Sequence, residues 1–153
     1  MEVSEKCISL VKRFEGVILH SYVCPKGVLT IGWGHTGSDV KKGMVITEGE
    51  AEELLKQDLK KFASKITYSL KQDNIKVNQN QFDALCSFAF NLGFSAFIFS
   101  TLYKKLKAGD YAGAADEFPK WVYITKTVDS EKVKIRLKGL ETRRKAEREL
   151  FLS

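Results

Sequence analysis

The most restrictive feature of the chain is one long helical segment in its first half. "TEGE", Thr47–Glu50, has the form of a capping box, in which a threonine and a glutamate three residues on satisfy each other's backbone N–H groups. Ala51, Leu54, Leu55, Leu59, Phe62 and Ile66 then recur at helical spacing. The predicted helix, about 47–70, is long enough to serve as a strut between two lobes. The segments on either side of it must pack on its two ends.

The segments before the strut have two different periods. Residues 4–14 read as a helix capped by Ser4, with Cys7, Leu10, Val11 and Phe14 on one stripe. Cys7 there is most simply a small buried hydrophobe. Gly16 is a stop signal, which leaves Glu15 at the helix's C-terminal end. From about 16 to 46 the pattern becomes that of a small β lobe: Ile18, Tyr22 and Val23, then Val28, Leu29 and Ile31, flank "CPKG". Proline presets the first turn position and Gly27 accepts positive φ. A three-residue loop, Pro25–Gly27, closing in a glycine bulge sets Cys24 opposite Val28 and Tyr22 opposite Thr30. In that register Cys24 and Thr30 share a face; a two-residue loop would send Thr30 to the other one.

After the strut, "KQDNIKVNQN" reads as a linker, and about 75–153 as a helical lobe. Phe82, Leu85, Cys86, Ala89 and Leu92 form a stripe that stops at Gly93. Phe88, Phe90, Phe94, Phe97 and Phe99 read as core. Shorter helices are expected over Thr101–Ala108 and Tyr111–Phe118, with Leu140–Leu152 as the last. The fold class is α+β with a segregated sheet: a small β-hairpin lobe and a larger helical lobe within one domain, 1–153, with the N-terminal helix packed on the helical lobe. A cleft between the lobes is the default ligand site.

Composition narrows the chemistry. The chain has 153 residues, a net charge of +6, three cysteines and two histidines. An odd, widely spaced cysteine set is no disulfide framework, and His20 and His35 make no cluster with metal-ligand spacing. No Gly-rich phosphate loop is present, so neither a metal nor another cofactor is expected. The N-terminus has no apolar signal core and nothing later approaches a membrane span. The positive charge favours an anionic partner. Its densest run, Lys132, Lys134, Arg136, Lys138, Arg143, Arg144, Lys145 and Arg148, reads first as a solvated helix face.

Glu15 is the candidate acid. The C-terminal end of a helix carries partial negative charge, which disfavours ionisation of a carboxylate there, and a protonated carboxyl near neutrality is a general acid. A surface glutamate that merely ends a helix is the plainer reading. A thiol at a turn and a hydroxyl on the same face, opposite that acid, frame a polar pocket. A protonated acid on one side and a held water on the other is the arrangement of inverting glycoside hydrolysis.

The order Glu15, eight residues, Cys24, five residues, Thr30 resembles the catalytic signature of the phage-type lysozymes, the muramidase endolysins of bacteriophages. "RFEG", "TIGWGH", "NQNQFDALCSFAFNLG", "FPKWV" and "GLETRRKAERELF" resemble the family as well, in order and over nearly the whole chain. The resemblance implies a lysozyme-like fold and hydrolysis of the β-1,4 bond between N-acetylmuramic acid and N-acetylglucosamine in peptidoglycan. It implies that Glu15 protonates the departing oxygen and that Thr30 and Cys24 hold or activate the water. The family's usual residue at the second site is aspartate, so Cys24 is a departure. With an ordinary pKa of about 8.5, a thiol is a poor base at neutrality, and water positioning or electrostatic duty ranks above nucleophilic duty. His35 and Asp58 match a buried pair of the family, in which the histidine's pKa is raised and the aspartate's depressed, clamping the hairpin to the strut. Gly32 and Gly34, in "TIGWGH", support the same cleft. Either Arg143 or Arg144 matches the region that gives the glutamate a basic partner.

Two other functions suit the same residues less well. A lytic transglycosylase would use the same acid with an internal hydroxyl in place of water; Thr30 favours water. A non-catalytic basic module binding wall polymer or nucleic acid would not need the three residues at their spacing. The expected partner is therefore the peptidoglycan glycan strand, with no nucleic acid and no stable membrane insertion, and the expected state a monomer. Expected localisation is the host cytoplasm, then the wall after release through a separate pore.

Overall fold

The computed structural model describes residues 1–153. Helix α1, Glu5–Phe14, starts where Ser4 accepts from the Lys6 amide, and it buries Cys7, Ile8 and Val11. Strands β1 (Ile18–Val23), β2 (Leu29–Gly32) and β3 (His35–Thr36) form an antiparallel sheet in chain order. Helix α2, Glu48–Gln72, opens on the expected capping box: Glu50 N donates to Thr47 Oγ1 and Thr47 N to Glu50 Oε1, each at 3.1 Å. The helical lobe contains α3 (Gln79–Leu92), α4 (Phe94–Ile98), α5 (Thr101–Lys107), α6 (Tyr111–Ala115), a 3₁₀ turn (Phe118–Lys120) and α7 (Lys138–Leu152). No helix is long and apolar enough to cross a membrane.

One connected cluster of buried apolar side chains runs from Ile31 of β2 and Trp33 just after it, through Leu55 and Leu59 of α2, to Phe82, Phe88 and Phe151 in the helical lobe. The β region therefore has no core of its own; α2 carries it. Asp83 of α3, fully buried, accepts from Ser4 N at 2.9 Å and from the Ser4 hydroxyl, and so ties the start of α1 to the helical lobe.

The β hairpin has the expected register, with Tyr22 opposite Thr30 and Val23 opposite Leu29. Gly27 N donates to Cys24 O at 2.8 Å, Cys24 N to Val28 O at 3.0 Å, and Gly27 has φ +79°. Further along, Ile18 pairs with Gly32, so Leu19, His20 and Ser21 bulge against Ile31 alone. The bulge is bonded elsewhere: Ser21 N reaches Met44 O and Ile46 N reaches Leu19 O, each at 2.9 Å. A bulge of this kind bends its strand, and this one lies between Glu15 and the turn.

Three expectations are corrected. Residues 123–136 are a second hairpin, β4 (Tyr123–Val128) and β5 (Glu131–Arg136), where no strand was foreseen. Both of its faces are largely exposed; Val133 and Ile135 alternate with Lys132, Lys134 and Arg136, a strand signal that reading the run as a charged helix face passes over. Lys132, Lys134 and Arg136 are thus strand residues, and Arg143 and Arg144 are buried rather than part of a solvated helix face. Of the five phenylalanines read as core, Phe99 is 79% exposed, and Phe90 and Phe94 lie only partly within the core.

Candidate active site

Glu15 follows α1 directly, with its N–H still donating to Val11 O at 2.8 Å and its backbone already extended at φ −98°, ψ 128°. The side chain leaves the helix end into a cavity of about 380 Å³ between the lobes. Trp33 and Gly34 line it from the β2–β3 turn, Thr36 from β3, Asp58, Lys61 and Phe62 from α2, and Phe90 from α3. Phe62 and Phe90 meet edge to face at 5.6 Å. An apolar wall with a few convergent polar groups is what a ligand cleft requires. A larger hollow of about 700 Å³ lies between α1 and α2, lined in part by Ile8, Lys60 and Tyr68; Glu15, Cys24 and Thr30 do not border it.

Arg143, not Arg144, is the partner of Glu15. Arg143 Nη1 donates to Glu15 Oε1 at 2.7 Å, and the guanidinium is almost wholly buried. Arg144 points elsewhere: Nη1 bonds Glu147 Oε1 at 2.7 Å, Nη2 bonds Asn91 Oδ1, and the plane lies 5.2 Å from the Phe88 ring centroid. Its Nε is buried without a partner. Burial, against the pull of Glu147, brings the Arg144 pKa down to about 10, still charged at neutrality. Burial also pushes the Glu147 carboxyl upward, with Arg144, Arg143 and Ser87 acting against it. Three donors converge on its oxygens, which is the bonding pattern of the ionised form.

Cys24 and Thr30 lie together at the turn end of the hairpin. Thr30 is buried, and its hydroxyl donates to Val28 O at 2.9 Å. With its proton so committed, the oxygen presents lone pairs and accepts a hydrogen from a neighbour. Cys24 is a free, partly exposed thiol whose pKa is lowered, first by the backbone amide of Val28 and then by that of Lys26. The tight turn therefore stabilises a thiolate with no histidine beside it. Neither residue lines the Glu15 cavity directly; Thr30 pairs in the sheet with Thr36, which does.

His35 sits between two carboxylates. Its Nδ1 is 2.8 Å from Asp58 Oδ2 on α2, as expected, and its Nε2 is 2.9 Å from Asp39 Oδ2, which was not foreseen. Burial works to lower the His35 pKa, but the Asp58 and Asp39 bonds outweigh it and the net shift is upward. The Asp39 carboxyl is held below its ordinary range by its bond to His35. Gly34 lines the cavity with φ +76°. Gly32 serves the packing instead: at φ +69° its missing Cβ would stand 3.4 Å from Ala51 Cβ, where the sheet meets α2.

The pattern of the family described as Phage lysozyme matches residues 12–147, nearly the whole chain. The chain belongs to the phage lysozyme family. It is 43% identical over 153 residues to the endolysin of Acyrthosiphon pisum secondary endosymbiont phage 1, covering 100% of this chain and 99% of that one. Among solved structures it is similar to a P22 lysozyme mutant, with TM-score 0.77 and 39% identity over 100% of this chain and 99% of that one. It is also similar to the muramidase domain of SpmX from Asticaccaulis excentricus, with TM-score 0.87 and 32% identity over 99% and 98% of the two chains. This phage lysozyme is an endolysin-type muramidase, a glycoside hydrolase acting on cell-wall peptidoglycan.

The residues that sequence reasoning missed divide into two groups. Asp39 stands four residues from His35, and Glu147 stands four from Arg143 and three from Arg144; on a helix such spacing makes neighbours, so Glu147 was within reach of pattern reading. Trp33, Thr36, Lys61, Phe62 and Phe90 come from three elements and carry no shared signal in the chain.

Proposed function

We propose that this lysozyme cleaves the β-1,4 bond between N-acetylmuramic acid and N-acetylglucosamine by single displacement with inversion, with Glu15 as the general acid. One observation carries the assignment. Two carboxylates line the cleft, and Asp58 has both oxygens directed at His35 Nδ1, at 2.8 and 3.0 Å. Glu15 spends only Oε1 on Arg143. Its Oε2 has no protein hydrogen bond and is the oxygen able to pass a proton to the departing sugar.

Water attacks from the side of the hairpin. Thr30 Oγ1, an acceptor because its proton goes to Val28 O, orients the water. Cys24, with its pKa lowered by the turn amides, stands beside Thr30 and helps to hold the same water. On this reading Glu15 meets the developing oxocarbenium charge from the helix end, and the hairpin pair serves the water on the other side. Trp33, Phe62 and Phe90 supply apolar area for the sugar faces. The enzyme acts as a monomer, and reaches the wall from the host cytoplasm through a separate pore.

The test is digestion of isolated sacculi, with mass spectrometry of the product ends. Reducing N-acetylmuramic acid termini are expected, and anhydro-sugar termini would replace hydrolysis with transglycosylation. Glu15→Gln is expected to fold and to release nothing; full lysis by that variant removes Glu15 from the acid's role.

A further inference from the structure

Taking Glu15 as the acid, we propose that Glu147 is a positioning residue for the reaction: with Ser87 it fixes the plane of the Arg143 guanidinium and thereby the place of the Glu15 carboxyl. Glu147 is fully buried on α7 and touches no part of the cleft. Its Oε2 accepts from Ser87 Oγ at 2.6 Å and from Arg143 Nε at 3.3 Å, while Oε1 accepts from Arg144 Nη1 at 2.7 Å. Both oxygens are engaged, so the carboxylate has one orientation.

Arg143 is consequently gripped along two edges. Nε meets Glu147, and Nη2 donates to Ser87 O at 3.2 Å. The remaining nitrogen, Nη1, is then aimed in a set direction, and what it meets is Glu15 Oε1. A planar fork held at two points leaves the third no freedom. The two guanidiniums are balanced by the Glu147 and Glu15 carboxylates, and Cys7 of α1 is the other titratable group that feels Glu147. Removing Glu147's charge leaves Glu15 as the nearest anion for two buried cations. Arg143 is then free to swing with Glu15, and a general acid displaced by about an ångström loses on the order of 100-fold in rate.

The experiment measures kcat and KM on soluble peptidoglycan fragments for Glu147→Gln, Glu147→Asp and Ser87→Ala, with circular dichroism to confirm folding. In Glu147→Gln, kcat is expected to fall about 100-fold with KM within about twofold of the parent. Glutamine is the isostere and aspartate the poorer fit, so a merely structural role makes Gln the milder change. Positioning by charge reverses that order, with Glu147→Asp keeping more kcat than Glu147→Gln. Should Glu147→Gln not fold, the charge-balanced pair Glu147→Gln with Arg144→Met takes its place. Ser87→Ala keeps every charge and is expected to lose about threefold or more in kcat by loosening Glu147. A folded variant without the Glu147 carboxylate whose kcat stays within about twofold of the parent overturns the proposal, as does the Gln-over-Asp order. Glu15→Gln separates the two readings: if it is inactive while Glu147→Gln is fully active, Glu15 stands as the acid and only Glu147 loses its role.

Discussion

Arg143 Nη1 and Glu15 Oε1 lie 2.7 Å apart although 128 positions separate the two residues. This bond joins the last helix to the end of the first, so the chain must close on itself before the acid is in place. The shape of the cation sets the first prediction. Lysine offers a compact ammonium and cannot span Glu147, Ser87 and Glu15 as the fork does. Arg143→Lys is expected to fold and to lose about 100-fold in kcat through misplacement of the acid. Arg143→Ala leaves buried Glu147 short of a partner and is expected to lower stability by about 3–5 kcal/mol, read by urea denaturation. Wild-type kcat in Arg143→Lys would show that charge alone suffices.

The three thiols are predicted to react in two classes. Cys24 is partly exposed with a lowered pKa, whereas burial holds the thiols of Cys7 and Cys86 far above their ordinary range. The thiolate is the nucleophile, so iodoacetamide at about pH 8, below a free thiol's value near 8.5, is expected to modify Cys24 alone in the folded enzyme. Lysis should fall in step with incorporation measured by mass spectrometry. Cys24→Asp is expected to stay active and Cys24→Ala to lose about tenfold or more, within the range for proton-handling groups. A Cys24→Ala enzyme at full rate would take the thiol out of the mechanism.

Much of the scaffold around the cleft was legible because it is built from local rules. The turn chemistry of Pro25 and Gly27 fixed a register, the register put Cys24 beside Thr30, and the Thr47–Glu50 capping box placed the strut. What stayed hidden depends on tertiary closure. Arg143 and Arg144 are adjacent on one helix, and only the packing of α7 on α3 decides which faces Glu15. The β4–β5 ribbon was hidden differently: Val133 and Ile135 do alternate with Lys132, Lys134 and Arg136, but a dense positive run also suits a solvated helix face, and the ribbon is largely exposed on both faces. Phe90 was misjudged because an aromatic stripe does not say which ring faces a core and which a cleft.

The His35 clamp gives stability a pH window. His35 has a raised folded pKa, so its contribution is complete below the unfolded value of about 6.5 and is lost as pH rises through the folded value. Asp39 has a depressed one, so its contribution is complete above about 3.9 and is lost as pH falls through the folded value. The clamp is thus tightest between about pH 4 and 6.5. The melting temperature is expected to decline on the alkaline side of that window, and His35→Gln should be lower at pH 5.5 and flatter across the range. An equally steep alkaline decline in His35→Gln would assign the slope to other groups.

The placement of Glu15 also depends on where α1 begins. Asp83 is fully buried and accepts from Ser4 N and from Gln79 Nε2, each at 2.9 Å, and from the Ser4 hydroxyl. Asp83→Ala strands these donors at the helix start. Loss of hydrogen bonds to a charged group is expected to cost about 2–3 kcal/mol. Because Ser4 and Glu15 bracket α1, the loss should appear first there, as faster hydrogen exchange of the α1 amides than of α2 or α3. The start of the helix would then be free to move while the Arg143 bond still holds its end, so kcat per folded molecule should fall less than in Arg143→Lys. Unchanged α1 protection in Asp83→Ala would mean that packing of Cys7, Ile8 and Val11 alone sets the helix, and that the Asp83 bonds add nothing to the position of Glu15.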